Sequence, residues 1–112
     1  MKLICIGDSL TFGYGVHLSQ RWTRLCAQET GWELVNEGIN GDTTGGMLAR
    51  MQGGVLAELR EGGLGADRPY VLLMGGSNDV FYSGSDAAAR ENMGAMIHQL
   101  FSVGCLLYTS DA

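Results

Sequence analysis

An α/β domain built on a mostly parallel sheet is predicted by three features of this sequence. Short apolar runs at Leu3–Ile6, Leu34–Val35 and Tyr70–Met74 have the length of buried strands. Longer stretches with apolar residues three and four apart separate and follow them, as amphipathic helices require. Each run passes directly into glycine and small polar residues. Strands separated by helices need crossover connections, and those make neighbouring strands parallel.

The elements follow in order. Leu3 to Ile6 forms the first strand and Gly7 bounds it. Gly7 to Gly15 reads as a glycine-rich loop. Ser19 is placed to cap a helix over residues 20–30 that presents Trp22, Leu25 and Cys26 inward and ends at Gly31. Glu33 to Asn36 is the second strand. Asp42 or Thr43 caps a second helix with the stripe Met47, Leu48, Met51, Val55, Leu56 and Leu59. Gly53 and Gly54 weaken that helix by roughly 1 kcal/mol each relative to alanine. Asp67-Arg68-Pro69 is a turn signal. Tyr70 to Met74 is the third strand. Ser85 is placed to cap a third helix with Met93, Met96, Ile97, Leu100 and Phe101 inward.

Composition narrows the function classes. A chain of 112 residues predicts one domain with a modest core. The net charge of −5 and the lack of a basic cluster speak against nucleic acid. The 18 glycines have no period, so neither a collagen-like repeat nor a linker is indicated. The three cysteines, Cys5, Cys26 and Cys105, fit neither a disulfide framework nor a zinc pattern, and no metal is expected. They read as small apolar residues in a reducing compartment. The opening run is too short for a signal peptide or a membrane span, so a cytoplasmic location is expected.

The loops carry the chemistry. In parallel α/β sheets the carboxyl ends of the strands form the ligand crevice. The segments Gly7-Asp8-Ser9, Asn40-Gly41-Asp42 and Gly76-Ser77-Asn78-Asp79 should therefore converge at one edge. Together they supply a nucleophile, Ser9, and donors for an oxyanion: the backbone N–H groups of Ser9 and Gly41 and the side-chain amide of Asn78. Taken singly, Ser9 reads as a turn or helix-cap residue, Asn78-Asp79 reads as a turn, and Gly41 is uninformative.

Those same segments resemble the sequence blocks of the GDSL/SGNH hydrolases. Gly7-Asp8-Ser9-Leu10 resembles the signature that follows the family's first strand. Residues 36–43, Asn-Glu-Gly-Ile-Asn-Gly-Asp-Thr, resemble the second block, and Gly76-Ser77-Asn78-Asp79 the third. The resemblance implies a flavodoxin-like three-layer α/β/α sandwich and hydrolysis of a small-molecule carboxylic ester through an acyl-enzyme. It implies Ser9 as nucleophile, Gly41 and Asn78 as oxyanion donors, Asp8, Asp42 and Asp79 as supporting loop residues, and no cofactor. It also implies a first strand lying between the second and third. The pattern differs from the Gly-x-Ser-x-Gly elbow, because Thr11 stands where the second glycine would be.

One block is missing. The family's Asp-x-x-His does not occur in the chain, whose only histidines are His17 and His98, with Ala95 three residues before the latter. Both histidines read as surface residues. The expectation is an N-terminal part of an SGNH hydrolase domain over residues 1–104, cut after the third strand and third helix and inactive by itself. Residues 105–112 break the helical pattern and resemble a translated sequencing adapter, which suggests a non-native tail. The third strand would then have an exposed apolar edge. Two other readings remain open: a flavodoxin-like module binding phosphate or flavin at the Gly7–Gly15 loop, and a catalytically dead SGNH-like protein. A dinucleotide fingerprint fails because Leu18 stands where a third glycine belongs.

Overall fold

Ile4, Cys5 and Ile6 have no exposed surface, as a strand covered on both faces requires. They lie in β1 (Lys2–Gly7), at the interior of the sheet in this computed structural model, which describes residues 2–51, 53–62, 69–102 and 106–110. β1 pairs in parallel with β2 (Glu33–Gly38), from Lys2 opposite Glu33 to Gly7 opposite Gly38. On its other side it pairs in parallel with β3 (Tyr70–Met74), Leu3 opposite Tyr70 and Ile6 opposite Leu73. The strand order is β2-β1-β3-β4. The parallel α/β architecture is as expected from the strand and helix pattern, and the central place of the first strand is as the family resemblance implies.

The helices are α1 (Ser9–Phe12), α2 (Trp22–Thr30), α3 (Thr44–Ala49), α4 (Val55–Gly62), α5 (Ser77–Ser83) and α6 (Ala87–Ser102). Ile4, Ile6, Val71 and Leu73 join Met47, Met51, Val55, Leu56, Leu59, Met96 and Leu100 in one buried cluster. Thus α3, α4 and α6 cover one face of the sheet. Strand side chains alternate between faces, so Cys5 points to the opposite side from Ile4 and Ile6. Cys26 of α2 neighbours it there, which makes three layers. Burial pushes the Cys5 thiol up to about 12, and Cys26 adds to the rise.

Several elements differ from the sequence expectation. The helix α2 starts at Trp22 with Arg21 as its cap residue, and Ser19 instead bonds His17 (Nδ1 to Oγ 3.1 Å). Its inward face is Thr23, Cys26 and Ala27, while Leu25 is exposed. Two side-chain bonds set that rotation: the Trp22 indole donates to the Leu10 carbonyl (3.0 Å), and Asn36 Nδ2 donates to the Thr23 hydroxyl (3.3 Å). The second helix is broken into α3 and α4, with Gly53 and Gly54 between them, yet Met47, Met51, Val55, Leu56 and Leu59 stay buried. Thr43 caps it, its hydroxyl accepting from Gly46 N–H at 3.2 Å. In α6, Met96 and Leu100 are buried but Phe101 is 63% exposed.

The expectation that the fold stops after the third strand and helix is corrected. Leu106–Ser110 forms β4, parallel to β3 from Tyr70 opposite Leu106 to Met74 opposite Ser110. The far edge of β3 is therefore paired. An open strand edge offers a row of unsatisfied N–H and C=O groups. A backbone ladder is available to any strand-forming run that α6 delivers to that edge, whatever its side chains. Cys105 lies outside the described residues. Among the described residues, no helix is long and apolar enough to cross a membrane.

Candidate active site

The first strand delivers Ser9 to a helix start. β1 ends at Gly7, Asp8 is the N-cap of α1, and its Oδ1 accepts from Leu10 N–H at 3.0 Å. Ser9 is thus the first residue of α1 and is half-buried. The sequence reading placed it in a loop. Its own N–H is one of the donors a helix start leaves without an intrahelical partner. The strand can pass so closely under α1 because residue 7 is glycine: a Cβ there would overlap the Thr11 side chain and the Met74 carbonyl. Among the described residues, no side chain hydrogen-bonds the Ser9 hydroxyl.

The second loop is stitched to the first. Ile39 N–H donates to the Gly7 carbonyl (3.1 Å). The Asn36 amide donates to the Thr11 carbonyl (2.9 Å), and its oxygen accepts from Gly38 N–H (2.9 Å). Gly41 is exposed and adopts φ +76°, a conformation that L side chains rarely take. An added Cβ there would lie 3.6 Å from the Tyr82 hydroxyl, which places α5 beside this glycine.

The third loop is stitched to the second. Asn78 Nδ2 donates to the Asp42 carbonyl at 2.9 Å. An amide NH₂ has two N–H groups, so this bond fixes the orientation of the amide and leaves one N–H for another acceptor. Asp79 is buried and accepts from Thr44 twice, from the N–H at 2.9 Å and from the hydroxyl at 2.7 Å. Residues Ser77–Ser83 form α5, so Asn78 and Asp79 stand in the first turn of a short helix that the sequence reading did not anticipate. An open cleft of about 450 Å³ borders this loop, lined by Gly76, Ser77, Val80, Asp86, Arg90 and Met93 among others.

Arg50 was missed by the sequence reading. Its guanidinium donates to Asp42 Oδ2 (3.0 Å), the Glu37 carbonyl (2.6 Å) and the Gly7 carbonyl (2.8 Å). A single arginine among helix residues looks like a solvated side chain, and only its offset from Asp42 hints otherwise. Thr44, which joins Asp79 to α3, was also missed.

The three loops expected to converge are therefore linked through Ile39 to Gly7, Asn78 to Asp42, and Asp79 to Thr44. His17 and His98 are both exposed, the first against Ser19 and the second on α6. Among the described residues, no cluster of three or more His, Cys, Asp or Glu side chains could hold a metal ion.

Comparison with known proteins agrees with this architecture. The model of the GDSL-like Lipase/Acylhydrolase family matches residues 5–109, and the chain belongs to that family. Esterase TesA of Pseudomonas aeruginosa is 29% identical over 108 residues, which cover 91% of this chain and 49% of TesA. A crystal structure of TesA superposes with a TM-score of 0.81 at 27% identity, over 97% of this chain and 59% of that one. A lipolytic protein of the G-D-S-L family from Desulfitobacterium hafniense DCB-2 superposes with a TM-score of 0.82 at 25% identity, over 96% and 57% of the two chains. The chain thus spans about half the length of the curated relative it matches.

Proposed function

We propose that this chain carries the nucleophile and the oxyanion donors of a serine hydrolase acting on small-molecule carboxylic esters. The observation that carries the reading is the linkage of three strand-end loops around Ser9. In this scheme the Ser9 hydroxyl attacks the ester carbonyl, and negative charge grows on the carbonyl oxygen. The N–H groups of Ser9 and Gly41 and the free N–H of Asn78 Nδ2 stabilise it. Donors fixed before the reaction cost no reorganisation when charge develops, which is why such groups dominate acyl-transfer catalysis. Collapse of the tetrahedral intermediate expels the alcohol and leaves Ser9 acylated, and water then releases the acid. Asp8 and Asp79 act through their carboxylates, as cap of α1 and anchor of α5, and Asp42 accepts from Asn78 through its backbone carbonyl.

Serine needs a neighbouring base to attack at neutral pH. Both histidines of this sequence are exposed, and among the described residues neither hydrogen-bonds Ser9; we assign the base to an Asp-x-x-His block outside these 112 residues, as the family resemblance implies. The 112-residue chain alone is then expected to be a poor catalyst. Activity comparable to that of intact esterases from that chain would overturn this assignment.

The phosphate- or flavin-binding reading is disfavoured by Asp8. Its carboxylate occupies the start of α1 and brings negative charge where an anionic ligand would need donors. Replacing Ser9 with alanine in the full-length protein is expected to abolish hydrolysis of chromogenic acetate and butyrate esters while leaving the fold intact. Unchanged turnover by that variant would sink the proposal.

A further inference from the structure

We propose that Arg50 is a positioning residue that sets the nucleophile loop and the oxyanion loop relative to each other. The inference rests on the roles proposed above for Ser9, Gly41 and Asn78. The three acceptors of Arg50 belong to three stretches of chain. The Gly7 carbonyl closes β1 two residues before Ser9. The Glu37 carbonyl lies near the end of β2. The Asp42 carboxylate belongs to the residue after Gly41. The β1–β2 ladder already pairs Ile6 with Glu37 and Gly7 with Gly38, and Ile39 N–H reaches the Gly7 carbonyl at 3.1 Å. What the guanidinium adds is a tie from these two strand ends to Asp42, which lies beyond the ladder.

Asp42 passes the constraint on. Its carboxylate is held by Arg50, and its carbonyl receives Asn78 Nδ2 at 2.9 Å. One planar cation therefore fixes the strand end that carries the nucleophile and, through Asp42, both loops that carry oxyanion donors. The side chains of Arg50 and Asp42 are 22% and 14% exposed, so water competes little for these bonds. Only a guanidinium matches this set, because its donors point along fixed directions in one plane. A lysine ammonium could pair with Asp42 but could not reach both carbonyls in the same geometry.

An arginine that merely caps carbonyls would add stability and leave the chemical step of folded molecules alone. A positioning residue changes kcat, because small misplacements of reacting groups are costly, about 10²-fold for 1 Å. The test uses the full-length protein with Arg50→Lys and Arg50→Gln. The kcat is normalised to Ser9 sites titrated by a fluorophosphonate, which counts only folded, reactive molecules. Arg50→Lys is expected to fold and to lose roughly 10-fold to 100-fold in kcat per titrated site with KM little changed. Arg50→Gln is expected to lose at least as much. Full kcat per titrated site in Arg50→Lys, or a loss confined to KM or to melting temperature, would overturn the proposal. Should Arg50→Gln fail to fold, Arg50→Lys alone decides. A wild-type protein with no fluorophosphonate-reactive Ser9 would instead remove the functional reading on which the inference stands, an outcome visible before any Arg50 variant is measured.

Discussion

Cutting the link between Asp79 and Thr44 should destabilise the protein by a predictable amount. Thr44 has no exposed surface and Asp79 is 6% exposed. The carboxylate takes the Thr44 N–H at 2.9 Å and the Thr44 hydroxyl at 2.7 Å, while Asn92 Nδ2 donates to that hydroxyl at 3.2 Å. Thr44 opens α3, so its N–H is one that the helix itself does not satisfy. A hydrogen bond to a charged group contributes about 1.5–3 kcal/mol, and a buried donor left alone costs about 1–3 kcal/mol. Asp79→Ala should therefore cost about 3 kcal/mol or more, even if water partly fills the space. Thr44→Val removes only the hydroxyl and should cost about 1–2 kcal/mol. The double variant should fall short of the sum by about 1 kcal/mol, most of the Thr44→Val effect, because both single changes break the same bond. Urea unfolding of the four proteins, followed by the fluorescence of Trp22 and Trp32, gives each value from the midpoint at constant slope. Additivity within about 0.5 kcal/mol would mean the two residues do not interact, and the proposed anchoring of α5 on α3 would be wrong.

Other predictions follow from the same geometry. Asn78→Ala in the full-length protein should lower kcat by roughly 10²–10³ with a smaller effect on KM; a pure KM effect in steady-state kinetics would make Asn78 a substrate-binding residue instead. The Cys5 thiol, raised from 9.0 to about 12, stays protonated in the fold after the unfolded chain has ionised. The Cys5 contribution to stability should therefore be intact well below pH 9 and be lost between about pH 9 and 12, by about 1.4 kcal/mol at pH 10, so Cys5→Ala should show a correspondingly smaller decline in denaturant titrations at each pH. Leu100→Ala should cost about 2–5 kcal/mol, whereas Phe101→Ser should change stability by less than about 0.5 kcal/mol, as compared in the same unfolding assay.

The parts of the fold carried by periodicity were legible in the sequence. Tyr70–Met74 reads as a strand and is one, and the Met47 to Leu59 stripe stays inward across a broken helix. The loops that hold Ser9, Gly41 and Asn78 were legible because each follows a strand. Two short helices were not. Gly-Asp-Ser and Gly-Ser-Asn-Asp read as turns, and the residues that make turns also cap helices. A four-residue helix such as α1 is too short to show a stripe. Phe101 extended the α6 stripe by one residue too many, since the buried line ends at Leu100. The fourth strand was hidden because the helical pattern stops before it, and backbone pairing leaves no periodic mark in so short a run. Arg50 was hidden because its partners are mostly backbone carbonyls, which no side-chain pattern records.

The central claim is that Ser9 is a nucleophile, and covalent labelling tests it most directly. The full-length protein is incubated with a fluorophosphonate, digested, and its peptides are mapped by mass spectrometry. The account predicts one phosphonyl adduct, on Ser9, formed in step with loss of esterase activity and absent from Ser9→Ala. Esterase activity lost with the adduct on another residue, or a folded, active protein that takes up no label at Ser9, would contradict it.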